Sequence, residues 1–211
     1  MIIVEVDGRR VEIPSKYSEI KVAEFTKLWK VLNKYDLTQE EDEIKRGIDE
    51  MDCTIEVCAM LLGISREEAN GLPYDKASEI IGIFNGLLSE DNQEDDYSGW
   101  SFVHNGEGYY FPKLSLDKMT FGEYAEVKQI ESMLGKNVDD RFDFIPQQMA
   151  ILCRKSGEGK NDFDRDERTK EFETLTMDIV MKFAFFLSRL NIRLSKSTAI
   201  SMAKPKELEK S

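Results

Sequence analysis

The sequence predicts an α+β fold that is mostly α, built from two similar units, each a β-hairpin followed by three or four helices. A turn-and-proline pattern indicates the repeat, because Gly8 and Pro14 lie 98 positions before Gly106 and Pro112. A helix-start pattern follows each copy, and an acidic stretch separates the two. Hydrophobic residues make up 41% of the chain, which is typical of a folded protein rather than a disordered one.

Each unit begins with a predicted hairpin. Asp7-Gly8 and Asn105-Gly106 favour a type I′ turn, whose two central residues need positive φ. β-Branched and aromatic residues flank both dipeptides, as expected of strands. Proline donates no hydrogen bond to a ladder, so Pro14 and Pro112 end the returning strands.

Apolar spacing predicts the first helices of the first unit. Residues 22–34 carry apolar side chains at i, i+3 and i+4 and form one helix. A separate charged helix follows over 37–52, where Thr38 and Glu41 match a capping box. An apolar helix over 53–62 then forms the centre of the first core.

The first unit closes with two further helical segments. Gly63 is a predicted C-cap, and Ser65 begins a short segment with acidic residues in its first turn. Pro73 then starts the last helix, over 74–88.

The second unit repeats this order. Thr120, with Glu123 three residues later, predicts a capped helix. An apolar helix over 144–154 follows, and then a charged loop over 155–168. The final helix contains FAFFLSRL, which is apolar almost all round and therefore expected in the core. We expect this helix to end at 188–191.

These patterns divide the chain into four parts. Residues 1–88 form the first unit, and 89–99 form an acidic linker of almost no apolar content. Residues 100–192 form the second unit, and 193–211 form a polar C-terminal tail.

Charge and cysteine content limit the possible partners. The formal charge of −12 repels phosphate backbones, so we expect no direct nucleic-acid binding. No stretch approaches the length of a membrane helix, and no secretory signal is visible. Cys53, Cys58 and Cys153 are expected to be buried, reduced thiols because no CxxC or Cys/His cluster contains them.

Two candidate sites give way to simpler interpretations. His104 is the single histidine and could act as a general base, but its place at a hairpin tip favours a turn residue. Asp162, Asp164, Asp166 and Glu173 are spaced like calcium-loop ligands. The position that needs glycine for the sharp turn is occupied by glutamate, which favours a solvated charged loop.

Further candidates are weaker still. The glycines at 105–108 lack the spacing of a phosphate-binding loop, and the carboxylate runs 40–43 and 91–96 are typical of solvated surface. We therefore predict no catalytic, cofactor-binding or metal-binding residue, no cofactor, and a protein that is not an enzyme.

Four segments of the second unit carry a resemblance. In order they read YYFP, LDKMTFGEYAEVKQIE, QQMAILCRKSG and FETLTMDIVMKFAFFL. A TFGEY helix start, an MAILxR helix and a late helix ending in FF are similar to tail-assembly-chaperone-like and related virion proteins of tailed bacteriophages, including the crAss-like phages. The first unit shares this pattern only loosely.

The resemblance implies a non-enzymatic virion protein, made in the host cytoplasm and packaged in the capsid or tail as cargo or as a structural component. Its partners would be portal, tail or capsid proteins, with self-association in many copies. Two alternatives remain open at this point. One is a cytosolic chaperone that holds the tape-measure protein, and the other is a non-viral binding adaptor.

Overall fold

A computed structural model describes residues 1–6, 8–35, 42–89, 101–112, 120–133, 142–159 and 162–202. The side chains of Phe121 and of residues 191–202 are outside this description. Helices dominate, and two small antiparallel sheets accompany them, one of two strands and one of three. The strands are β1 Ile2–Val6, β2 Arg9–Ile13, β3 Ser101–His104, β4 Glu107–Tyr110 and β5 Arg154–Lys155. The helices are α1 Val22–Lys34, α2 Glu43–Leu62, α3 Arg66–Asn70, α4 Tyr74–Leu88, α5 Phe121–Met133, α6 Ile145–Leu152, α7 Arg165–Phe172 and α8 Met177–Met202.

The two hairpins have the same register. Val4 pairs with Val11 in the first, and Phe102 pairs with Tyr109 in the second, at an offset of 98 residues. The second turn has positive φ at Asn105 (50°) and Gly106 (79°), which confirms the predicted type I′ geometry. Gly8 is also left-handed, with φ of 74°, while Asp7 lies outside the described residues.

Helix boundaries in the first half largely follow the sequence prediction. α1 and α4 have the predicted limits, Gly63 ends α2 in a left-handed conformation, and Ser65 forms a capping box with Glu68. The prediction of separate helices over 37–52 and 53–62 was wrong, because α2 runs unbroken for 20 residues. Gly47 alone does not stop a helix, and no proline intervenes. The predicted cap at Thr38 lies outside the described residues.

The second half differs from prediction at three places. The expected loop over 155–168 begins with the last residue of β5 and contains the start of α7. Asp164 makes that start possible, since its side chain accepts hydrogen bonds from the amides of Asp166 and Glu167. α8 continues to Met202 instead of ending at 188–191, because no glycine or proline interrupts the chain before Pro205.

One hydrophobic core joins the two halves of the chain. Phe25 and Leu28 of α1, together with Phe84 of α4, belong to the same buried cluster as Phe142 and Phe183. The halves also exchange backbone hydrogen bonds, from the Val22 amide to the Leu175 carbonyl (2.8 Å) and from the Met177 amide to the Ile20 carbonyl (2.9 Å). The acidic linker predicted over 89–99 lies almost wholly outside the described residues.

A second, smaller cluster fixes the first hairpin. Its members are Val4, Ile13, Cys58, Leu62, Ala69 and Ile80, so it is confined to the first half. The hairpin therefore rests on the C-terminal half of α2 and on α4. No helix in the described part of the chain has the length and apolar character required to cross a bilayer.

Candidate functional site

The most elaborate polar arrangement surrounds Arg168 on α7. Arg168 is 6% exposed and donates two hydrogen bonds to Glu158, at 2.7 and 2.6 Å. Its guanidinium lies 3.7 Å from the centre of the Phe163 ring and 5.4 Å from that of Tyr109. These hydrogen bonds hold the pKa of Glu158 below its usual range, so the pair stays ionised.

A second arginine completes this cluster from the end of α6. Arg154 donates to Glu123 at 2.6 Å and to the Cys153 carbonyl at 3.0 Å, and its guanidinium lies over the same Phe163 ring, at 4.7 Å. Glu123 is the capping-box residue of α5 and accepts from the Thr120 amide at 2.8 Å, as predicted. Each arginine thus has its own carboxylate, and the cluster holds α5, α6 and α7 together.

Tyr109 and His104 extend the polar contacts along the second hairpin. Burial, and next the hydrogen bond to Glu171, raise the pKa of Tyr109 to about 12. The Nε2 atom of His104 lies 3.2 Å from the Glu171 carbonyl oxygen and 3.1 Å from the Thr174 hydroxyl. His104 therefore anchors the end of β3 to the end of α7.

The predicted burial of the three cysteines is confirmed. Cys53 is 8% exposed, Cys58 1% and Cys153 0%. Burial raises the pKa of all three thiols, that of Cys58 to about 11. The protonated thiol is a poor nucleophile, so these side chains act as apolar packing groups.

The calcium-loop spacing at 162–173 does not form a loop. Asp164 caps α7, and Asp162 accepts from the Gly159 amide at 2.7 Å. Asp166 and Glu173 lie at opposite ends of this helix, about 10 Å apart along its axis at 1.5 Å per residue. One cation could not reach both, and the described residues contain no cluster of three His, Cys, Asp or Glu side chains suited to a metal.

A shallow cavity of about 220 Å³ lies where the first hairpin meets the end of α2. Val6, Val11, Leu62 and Ile64 line it, together with Arg9 and Glu68. The charged side chains that line it are those of Arg9 and Glu68, and both are exposed. A substrate site usually has several polar groups that converge on the ligand.

The N-terminal half of α2 presents an exposed apolar face. Ile44, Ile48 and Met51 are 78%, 56% and 67% exposed, while Ile55, one turn further along, is half-buried and packs against the smaller cluster under the first hairpin. We call these four residues the apolar seam. They follow the spacing i, i+4, i+7, i+11, which places them on one side of the helix. Large apolar side chains concentrated on one helix face are typical of a protein-binding surface.

Local sequence keeps this exposed half helical. Asp42 caps it by accepting from the amides of Ile44 (2.9 Å) and Lys45 (3.2 Å). Arg46 and Glu50 form an i,i+4 ion pair at 3.9 Å. Cys53 is the first fully buried residue of α2, so the ten residues before it, about 15 Å of helix, lie at the edge of the core with only Gly47, Asp49 and Asp52 half-buried.

Comparison with protein-family models, with curated proteins and with solved structures found no match to this chain. The site residues must therefore be judged on their own chemistry. Among the described residues the two arginines of the cluster are paired with carboxylates inside the fold, and the apolar seam brings three large apolar side chains that are more than half exposed onto one helix face.

Sequence reasoning missed both the arginine cluster and the seam. The arginine cluster brings together residues that are far apart in the chain, so no local sequence pattern predicts it. The seam does have a sequence signal, since Ile44, Ile48, Met51 and Ile55 keep helical spacing through an otherwise charged segment. Treating 37–52 as a separate charged helix concealed that signal.

Proposed function

We propose that this chain is a non-enzymatic assembly protein of a tailed bacteriophage, packaged in the capsid or tail as a cargo or structural component. The observation that carries the proposal is the apolar seam on α2. A face of this kind provides a docking surface, whereas the paired charges around Arg154 and Arg168 hold the fold together. The resemblance of the second half to tail-assembly-chaperone-like proteins supplies the phage context.

The charge of the chain supports residence inside a particle. A net charge of −12 repels packaged nucleic acid, so the protein would contact protein surfaces rather than DNA. Its partners under this proposal are portal, tail or capsid components, and it would be made in the cytoplasm of the bacterial host.

Mass spectrometry of purified virions tests the proposal. We expect the chain to be recovered at a fixed ratio to the capsid protein and to remain after nuclease and high-salt washes. Absence from washed particles would contradict a packaged role. A variant with Ile44 and Ile48 changed to glutamate should be lost from the particles, while the control Tyr74→Glu, at a position 87% exposed on α4, should be retained.

The same seam also fits a second function, that of a cytosolic chaperone for the tape-measure protein. An exposed helix face with i, i+4, i+7 anchors can hold an amphipathic helix of a client chain. Co-purification of the tape-measure protein from infected cells, together with absence from virions, would favour this role. A non-viral adaptor would show neither result, and its gene would lie outside a cluster of portal and capsid genes.

We also propose that the two halves arose by duplication of a hairpin-plus-helices unit. The shared hairpin register supports this, as does the recurrence of buried positions at an offset of 103, from Ile80 and Leu87 in α4 to Phe183 and Leu190 in α8. An experimental structure in which the hairpin and first helix of one half superpose on those of the other is the expected result. Unrelated hairpin-to-helix angles would contradict the duplication.

A further inference from the structure

The apolar seam has the spacing of a coiled-coil interface. Steps of four, three and four residues separate Ile44, Ile48, Met51 and Ile55, which is the d-a-d-a order of a heptad repeat. We infer that the partner of this seam is the seam of a second copy of the same chain, packed antiparallel.

This inference rests on the proposed assembly role, because it gives the assembly surface its partner. The position of α2 at the edge of the core favours the antiparallel direction. The fully buried part of the helix begins at Cys53, at the C-terminal end of the exposed half. Antiparallel pairing therefore places the two bodies at opposite ends of the shared helix pair, whereas parallel pairing forces them side by side.

Antiparallel pairing also matches the apolar layers. When Ile48 packs against Met51 of the second copy, Ile44 packs against Ile55 of the second copy. Two-fold symmetry repeats both layers, so all four layers are apolar. The flanking g positions are Gly47 and Thr54, which are small enough to allow close approach.

The charges along the exposed half are segregated in a way that suits this direction. After the acidic residues Asp42 and Glu43 at its first turn, Lys45 and Arg46 follow, and Asp49, Glu50 and Asp52 lie near its end. Antiparallel packing brings Lys45 and Arg46 of each helix beside the acidic end of the other. It also opposes the two helix dipoles favourably.

The e positions of the heptad are Lys45 and Asp52, and they form one specific ion pair across the interface. Lys45 faces Asp52 of the second copy, and symmetry produces the pair twice. Asp52 also accepts from Arg66 at 2.6 Å through Oδ1, and a carboxylate can accept from two cations at once, just as an ammonium can donate to more than one acceptor. A parallel pair would place the same e positions beside Gly47 and Thr54, where no ion pair can form.

Sedimentation equilibrium of the full chain between about 10 and about 500 µM measures the association directly. We expect a reversible dimer. Ile48→Glu should raise its dissociation constant at least about 100-fold, because the symmetric interface loses two apolar layers at once and gains two buried charges. The matched control Tyr74→Glu also places a glutamate at an exposed helical position and should leave the constant unchanged.

Disulfide cross-linking tests the direction. An Ile44→Cys chain mixed with an Ile55→Cys chain should form a mixed disulfide dimer under mild oxidation, while either chain alone should not. The native thiols are buried and do not interfere. Parallel pairing gives the opposite result, with each single variant linking to its own copy, and would overturn the antiparallel arrangement.

The failure of this inference can be distinguished from the failure of the assembly role. A chain that is monomeric at every concentration, yet is recovered from virions in a seam-dependent way, would overturn self-pairing and assign the seam to another virion protein. If the chain dimerises through the seam but is absent from virions, the self-pairing would be supported and the packaged role would be overturned.

Discussion

Arg168 connects more of the second half than any local pattern in the sequence suggests. Its guanidinium binds Glu158 and lies over both Phe163 and Tyr109. In the sequence it is one of several alternating charges between 155 and 173, all of which look equally solvated. Only the helix that begins at Asp164 turns this arginine inward, so its role follows from tertiary structure and not from composition.

Replacing Arg168 with methionine should destabilise the fold by about 3 kcal/mol, because Glu158 would keep its charge in a buried place without its partner. Arg165→Met on the same helix is the control. Arg165 and Glu126 are 39% and 43% exposed, and the loss of such a pair costs about 1 kcal/mol or less. Urea unfolding followed by circular dichroism measures both, and equal losses would contradict the role assigned to Arg168.

The pH dependence of stability should report Glu158. Its folded-state pKa is lowered, first by the hydrogen bonds from Arg168, so its stabilising contribution is complete above the unfolded value of about 4.3. That contribution is lost as the pH falls through the lower folded value. The unfolding free energy of Glu158→Gln should therefore lie below that of the wild type at pH 7, and the two should converge as the pH falls through the folded-state value.

An exposed glutamate provides the comparison at pH 7. Glu79 is 46% exposed beside Lys76, and the loss of that pair in Glu79→Gln should lower the unfolding free energy by about 1 kcal/mol or less. A Glu158→Gln curve that stays parallel to the wild type down to low pH would show that the Arg168 pair contributes nothing to the acid dependence.

At the scale of elements, local chemistry determined most boundaries. Gly63, Ser65, Pro73 and Thr120 mark helix ends that could be predicted, since caps and breakers act within a few residues. The missed elements depend on distant partners. β5 exists because β4 offers it a free edge, with Tyr109 paired to Lys155, and two residues carry no strand signal of their own.

The joining of two predicted helices into α2 has a testable consequence at Gly47. A Cβ at this position would meet no atom within 4 Å, and the residue is helical. Gly47→Ala should therefore raise the unfolding free energy by about 0.5–1 kcal/mol, because alanine loses less backbone entropy in a helix. Thermal unfolding at a concentration where the chain is monomeric measures this, and a lower melting temperature would contradict it.

At the scale of the molecule, the shared core makes the two halves energetically dependent. Phe142, 7% exposed, contacts Phe25 and Trp29 of α1 with ring centroids at 5.1 and 5.4 Å. Sequence reasoning identified the apolar face of α1 correctly, whereas FAFFLSRL in α8, expected to be buried almost all round, leaves Phe185 45% exposed. It could not foresee that they share one core, because periodicity reveals which face is buried and not what covers it.

Phe142→Ala should destabilise the whole protein by about 3–5 kcal/mol, since it opens a cavity in the core that both halves share. Hydrogen exchange measures the effect on α4 and α8 separately, and we expect equal losses of protection in both. Val103→Ala, at a position 70% exposed, is the control and should change neither. A loss confined to α8 would contradict a single cooperative unit.

The backbone bonds that tie Ile20 and Val22 to Leu175 and Met177 join segments more than 150 residues apart. During synthesis the ribosome therefore completes α1 long before Leu175 and Met177 emerge. At about 5–20 residues per second this delay is on the order of ten seconds or more, during which Phe25 and Leu28 have no permanent cover. The nascent chain thus has an interval in which a holding factor can engage it, and release must await the arrival of the last helix.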